Sequence, residues 1–70
     1  MSDVPAEVYE WVNGFAQRLG VEPPSEQLVA EILDLAGAAA RGSARQAAPV
    51  ACWLAATAGR SPAEARALAE

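Results

Sequence analysis

Two of the five basic residues of this chain, Arg41 and Arg45, flank a Gly-Ser pair in the stretch RGSARQAAP, Arg41 to Pro49. A guanidinium beside the free amide hydrogens of a helix start can hold a phosphate or a carboxylate, because the planar donor fork and the backbone dipoles both favour negative charge there. A helix is expected to begin close to Pro49. Arg41, Gly42, Ser43 and Arg45 are therefore the candidate partner- or anion-binding group, joined by Trp53 on that helix. The stretch lacks the lysine and the spacing of a P-loop. Three readings stay open: a solvated loop, a contact with a partner's carboxylates, or a small bound anion.

Other chemistry has little to work with. The chain has no histidine and one cysteine, Cys52. Glu31 and Asp34 share a helix face, but no apolar frame around them would raise a carboxyl pKa for acid–base work, so they read as solvated acids. No His/Cys cluster is spaced for zinc and no acidic loop for calcium, so no metal site is expected. Cys52 lies among small residues and Trp53, with no neighbouring cation in sequence to lower its pKa, and reads as a structural thiol. The chain is read as a non-enzyme that needs no cofactor.

The elements that must position the loop follow from punctuation. Ser2, Asp3 and Pro5 are start signals and Gly20 a stop, giving a first helix over 5–19 in which Val8, Val12, Phe15 and Leu19 form a core-facing stripe widened by Trp11. Gly14 in its interior marks either a close helix crossing or simple tolerance. Pro23 and Pro24 break the chain, and Ser25 caps a second helix over 26–41, with Glu26 at its positive end. Leu28, Ile32, Leu35 and Ala39 make one apolar row there and Val29, Leu33 and Gly37 another, leaving a narrow polar row of Gln27, Glu31, Asp34 and Arg41. Gly42 is its stop signal, and Arg41 suits the exposed carbonyls of its last turn.

Residues 47–58, AAPVACWLAATA, carry no charge, and Pro49 fits the first turn of a third helix. Its densest face is expected at Val50, Trp53, Leu54 and Thr57. An apolar circumference asks for cover all round, which four short helices achieve only with difficulty, so internal burial and a partner surface around Trp53 are both open. SPAE, Ser61 to Glu64, is a capping box opening a fourth helix over 62–69, with Ala63, Ala67 and Leu68 turned inward and fraying toward Glu70. No strand pattern or repeat appears. The fold class is all-α, a compact bundle of four short helices in one domain, 1–70.

Seventy residues lie near the size where a single core is thermodynamically thin, which favours help from a second chain. The net charge of −4 works against polyphosphate backbones, and neither middle helix is a basic recognition helix, so nucleic acid is not an expected partner and a helix-turn-helix regulator is a minor alternative. Charge is uneven: residues 1–40 hold seven acids against Arg18, and residues 41–70 hold four arginines against Glu64 and Glu70. The uncharged run Gln46 to Gly59 is too short to span a bilayer, so no membrane role is expected. One cysteine and no leader pattern point to a reducing, cytoplasmic setting.

The segments EWVNGFAQRLGV, ILDLAGAAARGSARQAAPV and WLAATAGRSPAEA resemble a family of small helical domains of unknown function from high-GC bacteria. Its members occur alone or fused to molybdopterin-guanine dinucleotide synthase, the guanylyltransferase that completes the molybdenum cofactor. The family's central pattern runs Ala, His, Gly, any residue, Ala, Arg, Pro, Ala, Ala, Pro. Ala40, Gly42, Ala44, Arg45, Ala47, Ala48 and Pro49 match it, while Arg41 stands for the histidine and Gln46 for the first proline.

The resemblance implies a non-catalytic accessory that binds a protein of the molybdenum cofactor machinery or a subunit of a molybdoenzyme such as formate dehydrogenase. Arg41 and Arg45 would give it a basic lip for an acidic partner or a phosphorylated cofactor. Self-association or partner dependence through the uncharged third helix is a further expectation. The alternatives are a small acidic carrier with Ser25 as its attachment serine, and a structural or homodimerising module unrelated to molybdenum. PPSEQL is unlike the Asp-Ser-Leu attachment site of carriers.

Overall fold

The computed structural model describes residues 4–69. They form four helices: α1 (Ala6–Leu19), α2 (Glu26–Gly42), α3 (Ala47–Thr57) and α4 (Pro62–Ala69). The chain is all-α, and the expected boundaries hold to one residue. The start signals Ser2 and Asp3 and the fraying at Glu70 lie outside the described residues.

Each boundary has a local cause. At the end of α1, Gly20 takes φ 75°, and the Gly20 and Val21 amides donate to Gln17 O and Ala16 O at 3.1 and 3.0 Å. This is the paired bonding of a Schellman stop, which needs a left-handed residue and so a glycine. Gly59 repeats it after α3 at φ 71°, with Gly59 and Arg60 donating to Ala56 O and Ala55 O at 3.1 and 3.0 Å. The Ser25 hydroxyl accepts the Leu28 amide at 3.1 Å, capping α2. Before α4 the capping box is complete: the Glu64 amide donates to Ser61 Oγ at 3.2 Å and the Ser61 amide to Glu64 Oε1 at 3.0 Å. Gly42 differs from its expected role. It is the last residue of α2, without positive φ, and the helix bonding runs on through the Ser43 amide to Ala39 O at 3.0 Å.

The chain divides into two compact units, with the boundary inside α2 between Ala30 and Glu31. In the first unit Ala16 and Val29 are buried, with Tyr9, Val12 and Leu28 half-buried. The long side chains expected in the core are not there: Val8, Phe15, Leu19 and Trp11 are all exposed. The apolar arc of α1 is wide, and it is the edge of Tyr9, Val12 and Ala16 that is covered. Trp11 and Phe15, one turn apart, stack on each other with ring centroids 5.0 Å apart. A β-carbon at Gly14 would meet nothing within 4 Å, so this glycine serves no close crossing.

In the second unit Leu35, Ala38 and Ala55 are buried, and α3 packs against α4. Leu33, expected on a covered row of α2, is exposed. Helix α3 turns its small residues inward: Ala55 is buried and Ala48, Ala51 and Cys52 are half-buried, spaced as one helix face. Val50, Trp53, Leu54 and Thr57, expected as its densest face and open to burial or to a partner, are exposed. Helix axes approach closely where only alanines intervene, so the small face packs and the large residues point away. In α4 the half-buried positions are Pro62, Ala65 and Arg66, and the expected Ala63, Ala67 and Leu68 are exposed. The aliphatic stem of Arg66 supplies apolar cover that an alanine cannot.

Candidate functional site

The loop from α2 to α3 is exposed from Arg41 to Gln46. Arg41 sits in the last turn of α2, and its guanidinium folds back along the helix. A β-carbon built on Gly37 would lie 3.0 Å from Arg41 Nη1, so the glycine one turn earlier gives the side chain its bed. Arg41 and Gly42 line a hollow of about 300 Å³ with Ala38 and Ala69. Among the described residues, neither Arg41 nor Arg45 makes a side-chain hydrogen bond or ion pair.

The helix start beyond the loop offers less to an anion than its sequence promised. The Ala47 amide donates to Ala44 O at 2.9 Å and the Ala48 amide to Arg45 O at 3.2 Å, and Pro49 has no amide hydrogen. Gln46, at the cap position, has φ −68° and ψ −19°, a helical conformation that carries the turn directly into α3. The donors that a phosphate would use are therefore engaged by the loop's own carbonyls. What the loop presents is two guanidinium groups on an exposed turn. A carboxylate on a partner suits these as point contacts, without a backbone cradle.

Trp53 belongs to another feature. It is 67% exposed on the outward face of α3, with Val50 at 57% and Leu54 at 56%. Leu54 also lines an open groove of about 270 Å³ within the second unit, with Leu35, Ala51, Ala55, Ala58 and Leu68 as its apolar walls. Arg60 stands at its edge. Trp53 is not among the residues that line this groove, and of the exposed α3 residues it is Leu54 that joins the outward face to it. An exposed tryptophan and an apolar groove are each the kind of surface that takes an aliphatic or aromatic anchor. The sequence marks Trp53, but the groove depends on α4 lying along α3 and has no signature beyond the Schellman stop and the capping box that join them.

The remaining polar groups are accounted for locally. The Cys52 thiol is half-buried and directed at Ile32 O, 3.9 Å away, as a weak donor. Ser25 Oγ is occupied as the α2 cap. The Glu64 carboxyl is held below its ordinary pKa, first by the Ser61 amide, then by the Ser61 hydroxyl, with Arg60 adding to both. Among the described residues no group of three or more His, Cys, Asp or Glu side chains could hold a metal ion, and no helix is long and apolar enough to cross a membrane.

A small all-helical module with an exposed apolar helix face and a basic loop defines a class, not a reaction. Residues 3–70 match the family model described as "Domain of unknown function (DUF6457)", and the chain belongs to that family. No curated protein and no solved structure is significantly similar to it.

Proposed function

We propose that this chain is a non-catalytic accessory module that binds a protein partner through the outward face of α3, with Arg41 and Arg45 meeting acidic groups at the rim. The observation that carries this reading is the exposure of Val50, Trp53 and Leu54 on α3, the last of which also lines the α3–α4 groove. An uncovered apolar face of this kind on a short chain is stabilised by a second molecule. Tryptophan in the middle and arginine at the edge is the composition of an interface centre and its rim.

The partner is assigned to the molybdenum cofactor machinery, or to a molybdoenzyme subunit such as one of formate dehydrogenase, in the cytoplasm of a high-GC bacterium. Support comes from the resemblance of the RGSARQAAP region to domains fused to molybdopterin-guanine dinucleotide synthase, with Arg45 among the matching residues. In this reading Arg45 orients the partner and the α3 face supplies the affinity.

The test is a deletion strain complemented with wild type or Arg45→Ala, scored by molybdoenzyme cofactor occupancy. Deletion is expected to lower occupancy, wild type to restore it, and Arg45→Ala to restore it only when overproduced, matching an affinity loss of about tenfold to a hundredfold. Normal occupancy in the deletion strain, with the gene otherwise expressed, refutes the molybdenum assignment.

A further inference from the structure

Helix α1 carries an apolar stripe that its own chain leaves open: Trp11 is 67% exposed, Leu19 60%, Phe15 46% and Val8 37%. Its two aromatic rings stack at 5.0 Å and stand as one plate. At 3.6 residues per turn, Glu7 and Arg18 fall on the same flank of this stripe, beside Trp11. They sit at opposite ends, Glu7 in the first turn and Arg18 in the last.

Counted outward from Asn13, an aromatic, an aliphatic and a charged residue recur to within one position in both directions, while the sign of the charge reverses. Trp11 and Phe15 lie two residues to either side, Val8 and Leu19 five and six, Glu7 and Arg18 six and five. A two-fold axis at the middle of the helix therefore sets aromatic against aromatic and Val8 against Leu19 of the second copy. It also sets Glu7 beside Arg18 of the second copy, twice over. Self-complementarity of this sort is what an isologous contact requires. Parallel pairing would instead level Glu7 with Glu7 and Arg18 with Arg18, with no opposite charge in reach, and antiparallel helices also oppose their dipoles favourably.

We propose that α1 is a self-association surface, through which two copies of this chain pair antiparallel along the Val8, Trp11, Phe15 and Leu19 stripe with reciprocal Glu7–Arg18 ion pairs. The occupant is a second copy because one helix already supplies both halves of the charge pattern. Four large side chains on each copy bring the contact to about 1,000 Å² in total, the small end of specific interfaces. An interface of this size belongs with weak, transient pairings. It is independent of the partner reading, which rests on α3.

Sedimentation equilibrium of the full chain from about 10 μM to 1 mM at low salt reads the pairing directly. A reversible monomer–dimer equilibrium is expected. Glu7→Arg and Arg18→Glu are each expected to weaken it at least tenfold with helix content unchanged. An equimolar mixture of the two variants is expected to regain wild-type association, because each then presents the charge that the other lacks. Trp53→Ser, on the other exposed face, is expected to leave it intact. A chain that stays monomeric at 1 mM overturns the proposal. So does association that ignores both reversals, or association lost in the single variants and not recovered on mixing.

Discussion

Helices α1 and α3 each leave a tryptophan 67% exposed, yet the surroundings differ. The stripe of α1 is framed by Glu7 and Arg18, and its aromatic pair is ordered by internal stacking. The outward face of α3 has no charge within its own helix, and its specificity must come from outside, from the adjoining groove and from arginines on flanking loops. Framing charges set register and exclude wrong partners, whereas a chargeless face contributes area and leaves selectivity to its rim. One exposed face is thereby suited to a copy of itself and the other to a differently shaped partner.

The comparison fails if either face is in truth part of a core, and stability measurements decide that. Leu35, beneath the groove and 3% exposed, is the anchor of the second unit, and Leu35→Ala is expected to cost about 2–4 kcal/mol in chemical denaturation. On the inner side of α3, Ala55→Leu overpacks the contact with its neighbours and is expected to cost about 1–3 kcal/mol. Trp53→Ser and Trp11→Ser, by contrast, should each change monomer stability by no more than about 0.5 kcal/mol. A core-sized loss in either tryptophan variant would show that its face is covered. Consistent with exposure, the native emission of dilute protein is expected close to the unfolded position for both indoles.

Backbone substitutions sharpen the account on a smaller scale. Gly59→Ala, at φ 71°, should cost about 1–2 kcal/mol and loosen the α3–α4 junction that forms the groove. Gly37→Ala should stabilise α2 by about 0.5–1 kcal/mol, since the displaced Arg41 guanidinium is the free end of a flexible side chain. The smallest effect is on pH. The lowered pKa of Glu64 means that its stabilising bonds are present above the ordinary carboxyl range and are lost as pH falls through the lowered value. Acid should therefore fray the start of α4 first, and Glu64→Gln should remove that pH dependence; amide exchange at Ala65 and Arg66 reports it.

Helix boundaries were legible because each rests on local chemistry: Gly20 and Gly59 for left-handed stops, Ser25 and the Ser61–Glu64 pair for caps. Orientation was not legible where polar residues are absent. In α3 no charge marks the solvent side, so the sequence leaves internal burial and a partner surface around Trp53 both open, while packing selects the alanine face half a turn away. In α1 the amphipathic pattern was readable but its cover was not, since periodicity reveals an apolar side without saying what meets it. At the candidate loop, Arg41 and Arg45 were visible as exposed cations. The engagement of the Ala47 and Ala48 amides depends on the turn's carbonyls, which no residue type announces.

The central claim is that the α3 face, and not the α1 face, carries the accessory role. Its most direct measurement is molybdoenzyme cofactor occupancy in the deletion strain complemented at native level with Trp53→Ser or with Trp11→Ser. Loss of a central tryptophan at an interface weakens binding by about thirtyfold or more, so Trp53→Ser should leave occupancy near the deletion level while Trp11→Ser restores it. Full restoration by Trp53→Ser would contradict the account.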